Sequence, residues 1–197
     1  MSHTRNADPD KVELLTIAMG GQGDATAEWE GKRVFVPLAL PGERVRATLR
    51  PAAGGDLAAT EIEVLEPSPE RITAPCRHFS VCGGCTLQHW AEPAYRAWKI
   101  ELVRQALRHR GLALPERLDA VFVPGATRRR AEFAAVRRGG KVQLGFHARA
   151  SDAIVDQHEC PILVPALARL VPALRDALRG ILRESERADI LATETLT

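Results

Sequence analysis

Three of the four cysteines in this 197-residue chain fall in the stretch CRHFSVCGGC at 76–85, and the fourth, Cys160, follows after a gap of 74 residues. This C-x5-C-x2-C run with one remote thiol constrains the fold more than any other feature. Four thiolates can serve one metal centre only if distant segments are brought to one point. The step Cys82-Gly83-Gly84-Cys85 predicts a tight loop whose backbone takes positive φ, approaches the site without a Cβ clash and turns N–H groups toward sulfur. Cys160 stands in HECPIL, just before Pro161, at the end of an expected strand. Zinc sites commonly pair two C-x2-C steps, and only one is present here. The spacing is nearer to the plant-ferredoxin style than to a zinc ribbon, and it is not the C-x3-C-x2-C of radical enzymes. Iron–sulfur therefore leads zinc, and both stay open beside a reading as buried thiols that act as small hydrophobes. His78 and His89 flank the loop and are read as supporting or surface residues, since four thiolates suffice.

The redox compartment bears on that choice. The opening MSHTRNADPDK is polar and lacks the apolar core of a secretory signal. No uncharged apolar run reaches the ~18–20 residues of a membrane helix. A cytoplasmic, reducing location is expected, with no membrane partner, and there disulfides are rare. The chain is expected to be a monomer.

Upstream of the cysteines the texture differs. Short β-rich runs at 11–18, 24–29, 32–36, 43–50 and 58–65 are broken by Gly20, Gly21 and Gly23, by Glu30-Gly31 and by Pro41-Gly42. Five short strands in so little chain predict a small closed barrel of the OB type, a shape that holds single-stranded nucleic acid. Trp29 and Phe35 are its aromatics, so a stacking platform has little support. GGQGDA is not a phosphate loop, because it lacks the Lys-Ser/Thr and a following helix. The expected layout is a disordered lead at 1–9, a barrel at 10–66, a linker and cysteine knuckle at 67–90, and an α+β domain at 91–197.

In that last part, 92–112 reads as a helix stopped at Gly111, and 121–125 as a strand. RRRAEFAAVRRGGKVQLGFHARASDAIV reads as a hairpin turning at Gly139-Gly140. From 165 an amphipathic helix follows, kinked or divided by Pro172, with Leu167, Leu170, Leu174, Leu178, Ile181 and Leu182 as its apolar stripe. The net charge of +2, from 27 Lys+Arg against 25 Asp+Glu, argues nothing about partners, so a nucleic-acid case rests on local clustering. The hairpin supplies it with Arg128, Arg129, Arg130, Arg137, Arg138, Lys141 and Arg149, opposed in that span by Glu132 alone. Guanidinium forks grip phosphate oxygens, and a solvated strand face is the equal alternative. Phe146 is read as core and His147 as an exposed ring able to stack on a base.

In order along the chain, FVPLALPGERV (35–45), PSPERITAPC (67–76), CGGCTLQH (82–89), RRRAEF (128–133), LGFHARAS (144–151) and IVDQHECPIL (154–163) resemble the RNA uracil-5-methyltransferase family, in particular the bacterial enzymes acting on large-subunit ribosomal RNA. The resemblance runs from about residue 10 to 190. It implies that the barrel is a TRAM domain that helps bind RNA, and that Cys76, Cys82, Cys85 and Cys160 hold a [4Fe–4S] cluster in the central domain. Arg128, Arg129 and Arg130 match a segment of the family that contacts RNA, and Arg137, Lys141, His147 and Arg149 are grouped with them as candidate contacts. Ribosomal RNA is favoured over transfer RNA as partner.

Members of that family are about twice this length. Their S-adenosylmethionine site, cysteine nucleophile and carboxylate base lie in a doubly wound C-terminal domain, where a thiolate adds to carbon 6 of a flipped uracil before carbon 5 is methylated. The sequence holds no adenosyl-binding strand–glycine loop–helix, and four cluster ligands leave no cysteine for attack. The expectation is thus the RNA-recognition and cluster-binding portion of such an enzyme, with no catalytic residue of its own. A stand-alone RNA-binding module with a structural iron–sulfur or zinc site, or a transfer-RNA relative, is the alternative; an electron carrier has less support.

Overall fold

The computed structural model describes residues 11–195. The expected lead at 1–9 lies outside the described residues. The chain divides into two compact units, one of Met1–Thr73 with His89–Leu118 and one of Ala74–Gln88 with Asp119–Thr197.

The first unit is built on six strands: β1 (Lys11–Leu15), β2 (Ala18–Met19), β3 (Ala25–Trp29), β4 (Lys32–Val36), β5 (Arg44–Pro51) and β6 (Leu57–Glu66). They form one sheet in the order β1-β5-β6-β4-β3-β2, with β4 and β6 parallel and the other pairs antiparallel. The sheet ends at β1 and β2, so the expected closed OB-like barrel is corrected to an open ladder. The reason lies at Thr16. Its buried hydroxyl donates to the Leu40 carbonyl at 2.6 Å, and its amide donates to the Glu43 carbonyl at 2.9 Å. The backbone is thereby held to the 40–43 turn, and β2 is left with two residues, too few to carry a closing ladder. Leu14, Val34, Val36, Val45 and Ala47 fill the core beneath.

That turn carries a buried ion pair. Glu43 is fully buried and accepts hydrogen bonds from the Leu40 amide at 2.8 Å, the Ser68 amide at 3.2 Å and the Arg71 Nη2 at 2.7 Å. Burial pushes the carboxyl up, but the Arg71 fork and the two amides outweigh it and hold Glu43 below its ordinary value. A carboxylate depressed in the fold stabilises it above the ordinary carboxylate pKa, and this contribution is lost as pH falls through the folded value. Glu43→Gln is therefore expected to lose roughly 3 kcal/mol at neutral pH, the low end for a broken buried pair because Arg71 is part-exposed. Urea titrations of variant and parent should converge as pH is lowered; a constant difference would refute the pairing. The unit also holds α1 (Glu92–His109), which begins with Pro in its first turn, and Trp90 packs against Trp98 with ring centroids 5.7 Å apart and planes tilted by 47°.

The second unit contains β7 (Arg130–Arg138), β8 (Lys141–His147), β9 (Ile154–Asp156), α2 (Pro165–Ile181) and β10 (Arg187–Thr193). The four strands form an antiparallel sheet in the order β10-β7-β8-β9. β7 and β8 turn as expected at Gly139-Gly140, whose φ values of 56° and 74° suit a two-residue hairpin loop. Phe133, Leu144, Leu167, Val171 and Leu178 build the core between this sheet and α2. The helix runs through Pro172 undivided. Its buried stripe is Leu167, Val171 and Leu178, continued by Leu182 beyond its end, while Leu170 and Ile181 are exposed. The expected strand at 121–125 is absent: Val121 is 93% and Val123 71% exposed, so no partner covers them.

The expected α+β domain with an iron–sulfur knuckle is also corrected. Among the described residues no three His, Cys, Asp or Glu side chains are grouped as they would be around a metal ion. The loop at 76–85 is instead fixed by backbone bonds: the Cys82 amide donates to His78 O at 2.8 Å and the Gly83 amide to His147 O at 2.9 Å.

Candidate functional site

All four cysteines and the arginine-bearing hairpin belong to the second unit. The knuckle docks on the residues just after β8. Cys82 and Ala148 form an antiparallel bridge, and the Arg149 amide donates to Val81 O at 2.9 Å. The Cys160 segment docks on the strand entering β7: the Arg128 amide donates to Ile162 O at 2.9 Å and the Val164 amide to Arg128 O at 3.1 Å. The two cysteine segments are thus each tied to one end of the same hairpin. An exposed ion pair, Arg77 to Glu159 at 3.3 Å, links the neighbours of Cys76 and Cys160 and adds little.

Close approach, not positive φ, explains Gly83; at Gly84 a Cβ would make only ordinary contacts. Neither glycine has positive φ. A Cβ on Gly83 would meet His147 O at 3.1 Å, and one on Gly84 would lie 3.5 Å from Cys82 Sγ and 3.9 Å from Arg128 Nη1. The Gly84 amide donates to Cys82 Sγ at 3.4 Å, as the loop reading required.

The thiols lie within reach of each other's charge. Burial pushes the Cys85 thiol up; the Gln88 side chain opposes this, and the charges of Cys160 and Cys82 add to it. Burial likewise pushes Cys160 up, opposed by the Ile162 and Leu163 amides and reinforced by Cys76 and Cys82. Arg128 is the cation that favours the Cys85 thiolate. An all-sulfur donor set of four suits a soft metal centre.

The candidate RNA contacts separate by what already holds them. Arg129 donates to Glu194 through Nη2 to its carbonyl at 3.0 Å and faces its carboxylate at 3.3 Å. Arg137 donates to the carbonyls of Arg179 and Leu182 at 3.0 and 2.8 Å, at the C-terminal end of α2. Arg149 donates to Cys85 O at 3.0 Å. Arg128 leans over the knuckle, as above. Arg130, Arg138, Lys141 and His147 are exposed. Sequence reasoning passed over Arg175, which lies in a helical charge pattern like any surface residue. It donates from Nη1 to Val142 O at 2.7 Å and to Asp156 Oδ1, and from Nη2 to Gln157 O at 2.8 Å. It thereby pins β8 and β9 to α2 and sets where the chain leaves toward Cys160.

No protein-family model matches the chain. It is 47% identical over 185 residues to a protein of Caulobacter vibrioides named an uncharacterized RNA methyltransferase, covering 91% of this chain and 43% of the relative. It is 40% identical over 173 residues to the 23S rRNA (uracil(1939)-C(5))-methyltransferase RlmD of Halomonas elongata, covering 87% of this chain and 36% of that protein. The chain thus spans about two fifths of the length of such relatives. Among solved structures, the tRNA (uracil-54, C5)-methyltransferase of Pyrococcus abyssi, in complex with S-adenosyl-L-homocysteine, aligns with a TM-score of 0.56 at 21% identity, over 89% of this chain and 38% of that one. At that identity the likeness speaks for the fold alone. It replaces the expected barrel and knuckle with a sheet-rich fold found in a methyltransferase.

Proposed function

Because the chain belongs to the RNA uracil-5-methyltransferase family, we propose that it is the RNA-recognition portion of an enzyme that methylates carbon 5 of a uridine in 23S ribosomal RNA. S-adenosylmethionine is the methyl donor of the whole reaction. Cys76, Cys82, Cys85 and Cys160 are the ligands of a [4Fe–4S] cluster. The observation that carries the reading is the docking of both cysteine segments on the arginine-bearing hairpin within one unit.

When bound, the cluster would supply metal–thiolate links between two segments that are each tied to the hairpin by backbone bonds. This chain's own residues do the rest. Arg130, Arg138 and Lys141 stand exposed on the hairpin and take phosphates, and His147 offers a flat ring at the end of β8 away from the turn. Arg137 and Arg149 keep the hairpin on α2 and on the knuckle and do not reach out to RNA. Ribosomal RNA is preferred because relatives of this sequence are named for it.

The test is the salt dependence of binding to a single-stranded ribosomal RNA fragment. Arg130→Ala is expected to weaken binding and to flatten the slope of log K against log salt by about 0.7, the value for one lost phosphate contact on a single strand. Arg137→Ala should lower stability and leave the slope as it is. Equal slopes for parent and Arg130→Ala would put Arg130 on a merely solvated face, and no binding by the parent would end the RNA reading.

A further inference from the structure

The aromatic side chains of the first unit's strands divide between the two faces of its sheet. Ala25, Ala27, Val34 and Val36 of β3 and β4 face the core, and Trp29 packs against that core. By strand alternation Phe35 faces the other way, where it is half-buried. The register sets it in a row across four strands. Phe35 pairs with Thr26 of β3 and with Ala58 of β6, and Ala58 pairs in turn with Arg50 of β5. Two residues back along β4, the Arg33 guanidinium lies 4.9 Å from the centroid of the Phe35 ring, and Asp56 holds it there by accepting from Nε at 3.1 Å. The turn from β2 to β3, Gly20-Gly21-Gln22-Gly23-Asp24, closes by bonds from the Gly20 amide to Asp24 O at 2.8 Å and from the Gly23 amide to Gly20 O at 3.0 Å. Since Ala25 pairs with Val36, the loop adjoins the side of Phe35 away from Arg33. There lies a cavity of ≈ 460 Å³ lined by Gly20, Gly21, Gln22, Asp24, Phe35 and Ala58. Among the described residues the Gly21 and Gln22 amides make no hydrogen bond, and the exposed Arg50 has neither a hydrogen bond nor an ion pair.

A half-buried ring with a guanidinium on one side and a cavity on the other is a seat for one flat group. The lining carries one carboxylate, Asp24, which repels a phosphate but not an uncharged base. A phosphate is suited instead by Arg50, which stands two strand spacings, about 10 Å, from Phe35 in the same row. Proteins that hold single strands combine such cations for the backbone with aromatic rings for the bases, and a cavity of this volume takes one small ligand. We propose that Phe35, the 20–24 loop and Arg50 form a second RNA site, which takes one unpaired base of a single strand. The base stacks on Phe35 opposite Arg33 and turns its polar edge to the Gly21 and Gln22 amides, and the adjoining phosphate meets Arg50. Every base has a flat face, so the seat tolerates all four. The proposal rests on the RNA-binding reading above and adds to the hairpin's phosphate contacts a base contact in the first unit.

The test is fluorescence anisotropy with the full chain and a labelled uridine octamer. Phe35→Leu, which keeps bulk but not a flat ring, should weaken binding about tenfold, within the range one base–aromatic stack supplies, and leave the salt slope as it is. Phe35→Tyr should bind like the parent. Arg50→Ala should flatten the slope of log K against log salt by about 0.7. A readout on the unaltered protein is ultraviolet cross-linking to an octamer carrying 5-iodouridine, followed by mass spectrometry of the tryptic digest. An adduct on the peptide 34–44, which holds Phe35, is expected. Adducts on hairpin peptides with none on 34–44 overturn the proposal and leave RNA binding intact, as does parent affinity in a Phe35→Leu protein shown to be folded by its circular dichroism melt. Failure of the parent to bind the octamer removes the RNA-binding reading, and this site with it.

Discussion

Replacing any one of Cys76, Cys82, Cys85 or Cys160 by Ser is expected to abolish the brown absorption of anaerobically purified protein and to reduce iron and acid-labile sulfide from about four per chain to near zero. The chain has four cysteines, so no spare thiol can fill a vacated position. Each cysteine belongs to a different local support. Cys82 is bridged to Ala148, Cys85 O accepts from Arg149, Cys160 precedes the turn that joins Arg128, and Cys76 O accepts from the Phe79 amide. Loss of one therefore cannot be offset by a shift of another without breaking those bonds. Arg77→Ala removes only the exposed pair to Glu159 and should leave iron content unchanged. Zinc in place of iron, or colour that survives Cys160→Ser, would falsify the four-ligand assignment and leave the thiols as a structural zinc site or as core.

Among the described glycines, Gly145 is expected to tolerate an added methyl least, as Gly145→Ala. A Cβ there would lie 1.9 Å from Val155 O and 2.8 Å from Gln157 Cγ, and the first of these is backbone that cannot rotate away. β8 and β9 would have to separate where Gly145 pairs with Asp156. Overpacking of this kind costs about 3 kcal/mol, or roughly 10 °C in melting temperature for a chain of this size. The damage should reach the thiol site, because Asp156 also receives the Leu144 amide at 2.9 Å and the Arg175 guanidinium just before the chain leads to Cys160. Iron content should fall together with stability. Gly180→Ala is the matched control: it meets nothing within 4 Å in α2 and should stabilise by about 1 kcal/mol through helix propensity. A Gly145→Ala protein that melts with the parent would refute the close β8–β9 approach.

The hairpin and the helices were legible because their signals are local. Gly139-Gly140 forms the turn between strands of alternating pattern, and Pro93 and Pro165 open α1 and α2 where a missing N–H does no harm. The tight Gly83-Gly84 loop was legible too, though its reason was not: space near His147 O requires a glycine at 83, and positive φ does not. The barrel was misread because closure depends on what Thr16 meets 24 and 27 residues away, at Leu40 and Glu43. A spacing pattern carries no information about that contact.

The arginines divide in the same way. Composition alone gives a basic hairpin, and it ranks Arg130 and Arg137 as equals. In the fold Arg130 is exposed and Arg137 is bound to α2 carbonyls. Arg175, indistinguishable on a helical pattern, is one of the least exposed cations, at 14%. What the sequence by itself determined was local and familial: four cysteines, a diglycine step between two of them, and the family these motifs mark. What only the tertiary structure decided was which groups meet and which stay free, including Phe35, which shares a cavity with the 20–24 loop. Spacing fixes local geometry through a few backbone angles, whereas encounters between distant side chains depend on how whole elements pack, which is set by the burial of both units' cores at once.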